Sequence, residues 1–299
     1  MTLVDPTPRM LGSLGAVGAI AFGMWRFTDT DLERRRALVE SALDNGLNLI
    51  DTADVYGLDW NGTGFGSVEE ALGEVLRTTP GLRDRMVLAT KGGIKPPVPY
   101  DSSPEGLRAA CEDSLRRLGV DTIDLYQIHR PDMFAHPAEV AATLAALRTE
   151  GKIREVGVSN HTVAQTEALA AHLPFPIVST QPEFSAAELA PMRDGTMDMC
   201  MRSGVLPLAW SPLAGGRLAT GSGVPAELVS VLDEIAARES TDRATVALAF
   251  VLAHPARPIA IIGTQRPERI AEATAAASVR LDRSDVYAIV QASEGRPLP

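Results

Sequence analysis

Lysine is scarce in this 299-residue chain: Lys91, Lys95 and Lys152 are the only ones, and the remaining positive charge is arginine. Acidic residues outnumber basic ones, for a net charge of −10. No basic patch able to neutralise phosphates is present, which argues against a nucleic-acid binder. The two cysteines, Cys111 and Cys200, make neither a disulfide framework nor a metal spacing, and Cys111 reads as a small core residue. No histidine shares a metal-ligand spacing with another His, Cys or carboxylate. No run of about eighteen apolar residues occurs, which excludes a spanning helix of the usual kind. MTLVDPTPRM lacks the basic region and apolar stretch of a signal peptide, so a reducing, cytoplasmic setting is expected.

What is present is a rhythm. Short apolar runs at 17–22, 47–50, 86–90, 124–128, 153–158, 177–180, 205–209 and 259–262 predict strands. Between them, helical patterns lie near 31–45, 67–77, 104–118, 137–150, 162–171, 196–203, 226–254 and 267–277. Such alternation, repeated eight times without a Pro-, Gly- or Ser-rich linker, predicts one (β/α)8 barrel of the TIM type, a single domain over 1–299. Ser67 followed by Glu70 predicts a capping box. Ser103-Pro104 predicts a capped helix start, and Gly46, Gly119 and Gly151 predict helix stops. The loops 57–66 and 94–103 follow the second and third strands, and loops in that position form the active face of such a barrel. The glycines of GTGFG have the wrong spacing for a dinucleotide loop, and no acidic partner follows at the expected distance.

Three successive strand ends carry chemistry. Asp51 closes the second strand with Tyr56 five residues on, Lys91 follows the third and His129 the fourth. A phenol is a poor acid near neutral pH. A neighbouring ammonium is expected to lower its pKa, and a carboxylate to hold that ammonium in place. The imidazole can orient a carbonyl oxygen or share a proton with the phenol. The set suits protonation of a carbonyl as a hydride arrives from a cofactor.

LIDTADVYG, ATKGG and DLYQIHRPD resemble the signature segments of the aldo-keto reductase superfamily, and the resemblance runs from about Gly23 to Arg280. MWR at 24–26 and WSPLAGGRL at 210–218 resemble a bacterial branch of predicted oxidoreductases. The resemblance implies a tetrad of Asp51, Tyr56, Lys91 and His129, with Tyr56 as proton donor. It implies that Ser159, Asn160 and Gln181 hold a nicotinamide carboxamide and that Trp210 stacks on its ring. Ser211, Leu213 and Arg217 then belong to a loop over the pyrophosphate. Thr264, Arg266 and Arg269 approach an adenosine 2′-phosphate, and Glu272 the adenine. Trp25, with Tyr56 and Trp60, is expected to line a partly apolar mouth and to border the cofactor. The expected activity is NADPH-dependent reduction of an aldehyde or ketone, its partner a small carbonyl compound rather than nucleic acid or membrane. Gly263 replaces a lysine common in the family and Ala273 an asparagine, which leaves NADH open as cofactor. A cofactor-binding scaffold with little turnover is the alternative, and an intact tetrad argues against it.

Overall fold

A computed structural model describes residues 2–298. The eight apolar runs form parallel strands: β1 (Ile20–Gly23), β2 (Leu49–Asp51), β3 (Val87–Gly92), β4 (Ile123–Ile128), β5 (Ile153–Ser159), β6 (Ser179–Gln181), β7 (Leu206–Ala209) and β8 (Ile259–Ile262). Each pairs with its successor, and β8 closes the barrel on β1. The outer helices are α1 (Leu32–Asp44), α2 (Ser67–Thr78), α3 (Pro104–Leu118), α4 (Pro137–Thr149), α5 (Val163–Ala170), α6 (Thr196–Ser203), α7 (Arg217–Thr220), α8 (Ala226–Glu239), α9 (Arg243–Leu252), α10 (Pro267–Ala273) and α11 (Arg283–Glu294).

Two cores result, because strand side chains alternate between faces. Outward residues such as Phe22, Ile50, Leu88 and Tyr126 pack under the helices. Inward residues Ala21, Leu49, Ala89, Leu125, Leu208 and Ile261 fill the barrel. Gly157 is required here: a Cβ on it would fall 2.2 Å from the Ser179 hydroxyl and 3.0 Å from Gln127. Below the strands, residues Arg9–Met10 and Ala16–Val17 form a two-stranded antiparallel hairpin. Leu11 and Val17 from this segment enter the inner core as a floor.

Several local expectations change. Val17 belongs to the hairpin, so β1 starts only at Ile20. The pattern at 226–254 is two helices, broken where Ser240 takes a left-handed φ of 54° and Asp242 caps α9 through the Thr245 amide. The terminal helix α11, capped by Asp282 and Asp285, lay outside the expected rhythm. Ser103 caps α3 as expected, accepting from the Gly106 amide at 3.1 Å. Ser67 caps nothing: left-handed Gly66 starts α2 one residue earlier, and its carbonyl takes the Glu70 amide that the serine was meant to serve. A Cβ on Gly66 would lie 2.5 Å from Arg117, so only glycine fits. Cys111 is buried, as expected.

Candidate active site

The same alternation that fills the barrel builds the site one step higher. Leu49, Ala89, Leu125 and Ser179 point inward, so two residues on, Asp51, Lys91, Gln127 and Gln181 also point inward, at the carboxyl ends of β2, β3, β4 and β6. All four are buried.

Lys91 is fully enclosed, and its three ammonium protons each have an acceptor. Nζ lies 2.7 Å from Asp51 Oδ2, 2.8 Å from the Thr52 carbonyl and 3.2 Å from the Tyr56 hydroxyl. The other Asp51 oxygen accepts from the amides of Gln127 at 3.2 Å and Gln181 at 3.0 Å. A carboxylate can only accept, which fixes both glutamines with their NH2 groups towards it. Gln127 is absent from the sequence-based set, because its bond to Asp51 depends on which strands adjoin in the barrel.

Burial would depress the Lys91 ammonium, but the pull of Asp51 and of Tyr56 outweighs it, so Lys91 stays charged. For Tyr56 the balance differs from expectation. Burial pushes its hydroxyl above the ordinary value and exceeds the opposing effect of Lys91. The phenol is therefore held protonated, and the ammonium limits the cost of losing the proton. Because Lys91 donates to the phenolic oxygen, the phenolic hydrogen is directed elsewhere. The His129 ring meets the Tyr56 ring edge-on, 5.9 Å between centroids. Burial, then the charges of Lys91 and Arg130, hold the imidazole well below its usual value, hence neutral. Its Nδ1 is buried with no partner among the described residues.

The other sequence-predicted residues adjoin this centre. Ser159 Oγ donates to the Gln181 carbonyl at 3.0 Å, Asn160 Nδ2 to Ser159 Oγ at 2.8 Å, and Trp210 Nε1 to Asn160 Oδ1 at 3.1 Å. Hydrogen bonds to the Gln181 carbonyl and from its side-chain amide thus link Trp210, through this residue, to Asp51 and Lys91. Beyond β7, Ser211 Oγ accepts from the Gly215 amide at 2.8 Å, and Leu213 leads into Ala214, Gly215 and Gly216, all left-handed. Where a left-handed residue adjoins one of the opposite hand, as Leu213 with Ala214 and Gly216 with Arg217, successive amides turn to one side, a shape that receives anions. Arg217 braces this loop by donating to Ala214 and Gly223 carbonyls. Thr264 and Arg266 lie on the segment between β8 and α10, Arg269 and Glu272 on α10 itself, with both arginines exposed. A Cβ on Gly263 would meet only the Gly23 carbonyl, at 3.7 Å. Beside Gln265 a cleft of about 460 Å³ is flanked by Arg26 and Arg34, two cations absent from the sequence-based set. Trp25 stands after β1, half-exposed. His136 is not at the centre: its Nδ1 caps α4, accepting from the Ala138 amide at 3.2 Å.

The sequence pattern of the aldo/keto reductase family matches residues 19–294. The chain belongs to that family, whose members are nicotinamide-dependent oxidoreductases. It is 48% identical to a 6-dehydroglucose reductase of Novosphingobium aromaticivorans, over 99% of this chain and 98% of that one. It is 33% identical to a 6-dehydroglucose reductase of Agrobacterium fabrum, covering 93% and 94%. Among solved structures, a glycerol dehydrogenase from Gluconobacter oxydans superposes with a TM-score of 0.84 at 27% identity, covering 98% of both chains. An aldo/keto reductase from Klebsiella pneumoniae in complex with NADP and acetate gives 0.79 at 28% identity, covering 99% and 97%.

Proposed function

We propose that this aldo/keto reductase uses NADPH to reduce an aldehyde to an alcohol, with Tyr56 as proton donor and a sugar aldehyde of the 6-dehydroglucose type as substrate. The observation that carries the reading is the Lys91 ammonium, whose three protons are committed to Asp51, Thr52 and Tyr56. The substrate class rests on the name of the Novosphingobium relative. The cofactor reading is supported by the left-handed Ala214–Gly216 loop and by the arginine-flanked cleft beside Gln265.

The residues divide the work. Ser159, Asn160 and Gln181 would hold the carboxamide, whose donor and acceptors suit their hydroxyl and amide groups. Trp210 would stack on the ring, Trp25 would stand at the mouth on the cofactor's border, and Ser211, Leu213 and Arg217 would hold the pyrophosphate. Gly263, Thr264, Arg266, Arg269 and Glu272 would meet the adenosine end. The reduced nicotinamide, when bound, supplies the hydride. Neutral His129 orients the carbonyl oxygen against the Tyr56 hydroxyl. As the carbonyl carbon becomes tetrahedral, the Tyr56 O–H bond breaks and its proton passes to the substrate oxygen. The phenolate left behind faces Lys91, which Asp51 keeps in place, so the negative charge forms beside a fixed cation. Solvent then restores the phenol.

The test is NADPH oxidation with 6-dehydroglucose and with 4-nitrobenzaldehyde, repeated with NADH. Tyr56→Phe is expected to lower kcat by about 10²–10⁴, with NADPH still bound by fluorescence titration. Equal turnover by Tyr56→Phe sinks the assignment of the proton donor.

A further inference from the structure

Outside the tetrad, the loops after β1 and β2 bring two of the chain's three tryptophans together. Trp25 and Trp60 lie 5.1 Å apart between ring centroids, tilted by 39°. They remain 40% and 46% exposed, although indole is among the costliest surfaces to leave in water. Trp60 also adopts a φ of 56°, followed by Asn61 at 62°. A bulky residue rarely enters this region, and strain of this kind gathers at ligand clamps. Neighbouring groups hold the ring there. Trp25 Nε1 donates to Asp59 Oδ1 at 3.0 Å, Thr28 Oγ1 to the Trp60 carbonyl at 3.4 Å, and the Gly62 amide to the Asp59 carbonyl at 3.2 Å. The Arg26 guanidinium lies 4.3 Å from the Trp60 ring centroid and donates to the Gly215 carbonyl at 3.3 Å, tying the β1 loop to the β7 loop.

The cluster stands at the same end of the barrel as Tyr56. Gly23 of β1 pairs in register with Asp51, Trp25 follows two residues later, and Trp60 lies four residues beyond Tyr56. Its chemistry is that of a polyol receptor. Aromatic faces receive the C–H face of a sugar ring. A carboxylate can accept about four hydrogen bonds, and one indole donor leaves most of that capacity open. A guanidinium has five donors and spends one on Gly215.

We propose that Trp60, Trp25, Asp59 and Arg26 form the subsite that holds the hydroxylated body of a sugar aldehyde while its carbonyl end reaches Tyr56. This rests on the sugar-aldehyde reading above and names the residues that make the chain prefer a sugar to a plain aldehyde. A site built to bond hydroxyls discriminates strongly against analogues lacking them.

The experiment compares kcat/KM for 6-dehydroglucose and for 4-nitrobenzaldehyde at saturating NADPH, in the parent, Trp60→Ala, Trp60→Phe and Asp59→Asn. The ratio of sugar to plain aldehyde should fall by about tenfold or more in Trp60→Ala, mainly through the KM for the sugar. Asp59→Asn keeps an acceptor for Trp25 yet loses a charged one for hydroxyls, so its ratio should fall too. Trp60→Phe keeps an aromatic face and should lie between Trp60→Ala and the parent. Glucose, the alcohol product, should inhibit 4-nitrobenzaldehyde reduction competitively in the parent and about tenfold more weakly in Trp60→Ala. A parent that reduces 6-dehydroglucose while all three variants keep its ratio and its glucose inhibition overturns the subsite alone. A parent that reduces 4-nitrobenzaldehyde but not 6-dehydroglucose overturns the sugar reading and the subsite with it.

Discussion

At the lower end of the barrel, Leu11 and Val17 from the hairpin meet Leu49, Ala89 and Leu125 in a mostly apolar inner core, with the buried Glu155 beside it accepting from the Ser13 amide at 2.8 Å. At the upper end, one turn of alternation further along the same strands, Asp51, Lys91, Gln127 and Gln181 are buried equally deeply. The lower end is held mainly by apolar burial, which is non-directional. The upper end is held by hydrogen bonds to charged groups, in which every partner must be present at once. The comparison shows how a protein can carry a reactive ammonium inside a barrel: the polar layer sits on a mostly apolar one, and each proton of its ammonium finds an acceptor nearby.

Removing one member from each layer should separate the two. Lys91→Met leaves Asp51 buried without its cation, and its unfolding free energy should drop by about 3–5 kcal/mol at pH 8. That loss should shrink in acid, where the orphaned carboxylate can be protonated. Urea unfolding followed at several pH values checks both statements. Leu11→Ala at the floor should cost about 3 kcal/mol through the cavity it opens. Here the cost should vary much less with pH than that of Lys91→Met, because the side chain removed carries no charge and the Ser13–Glu155 bond is left in place.

The smallest effect concerns Asp54, on the loop after β2. Neither of its carboxyl oxygens has a hydrogen-bond partner among the described residues. Burial, reinforced by Glu69, pushes its pKa well above the ordinary 3.8. A raised carboxyl binds its proton more tightly folded than unfolded. Its stabilisation is therefore complete below the unfolded pKa near 3.8 and is lost as pH rises through the folded value. Asp54→Asn should be more stable than the parent at pH 8 by about 1 kcal/mol or more, and the difference should close near pH 4. Equal urea midpoints at both pH values would count against a neutral Asp54.

Much of this was legible in the sequence. The strand runs marked the barrel because each is apolar on both faces, and the polar residue ending each run stood out against it: Asp51, Lys91 and Gln181. Two helix starts went unread although their caps are local, Asp242 before α9 and Asp282 before α11, because helical periodicity continued or resumed across them. Ser67 failed in the opposite sense. A serine and a glutamate at the right spacing do not make a cap when a glycine upstream can enter the left-handed region first. Gln127 and the direction of the Tyr56 shift were beyond local reading. The first depends on which strands adjoin Asp51, and the second on how completely the folded chain excludes water from the phenol.

The floor of the barrel has a consequence in time. Arg9 donates to the carbonyl of Arg257, and Asp5 pairs with the Arg257 side chain at 2.7 Å, across some 250 positions of sequence. Ser13 likewise bonds Glu155, and Leu3 reaches Leu281. These residues cannot dock until Arg257 and Leu281, far along the chain, have emerged from the ribosome. Contacts so distant in sequence are slow to form. The hairpin segment is thus among the last to find its place, and until it does the barrel interior stands open from below.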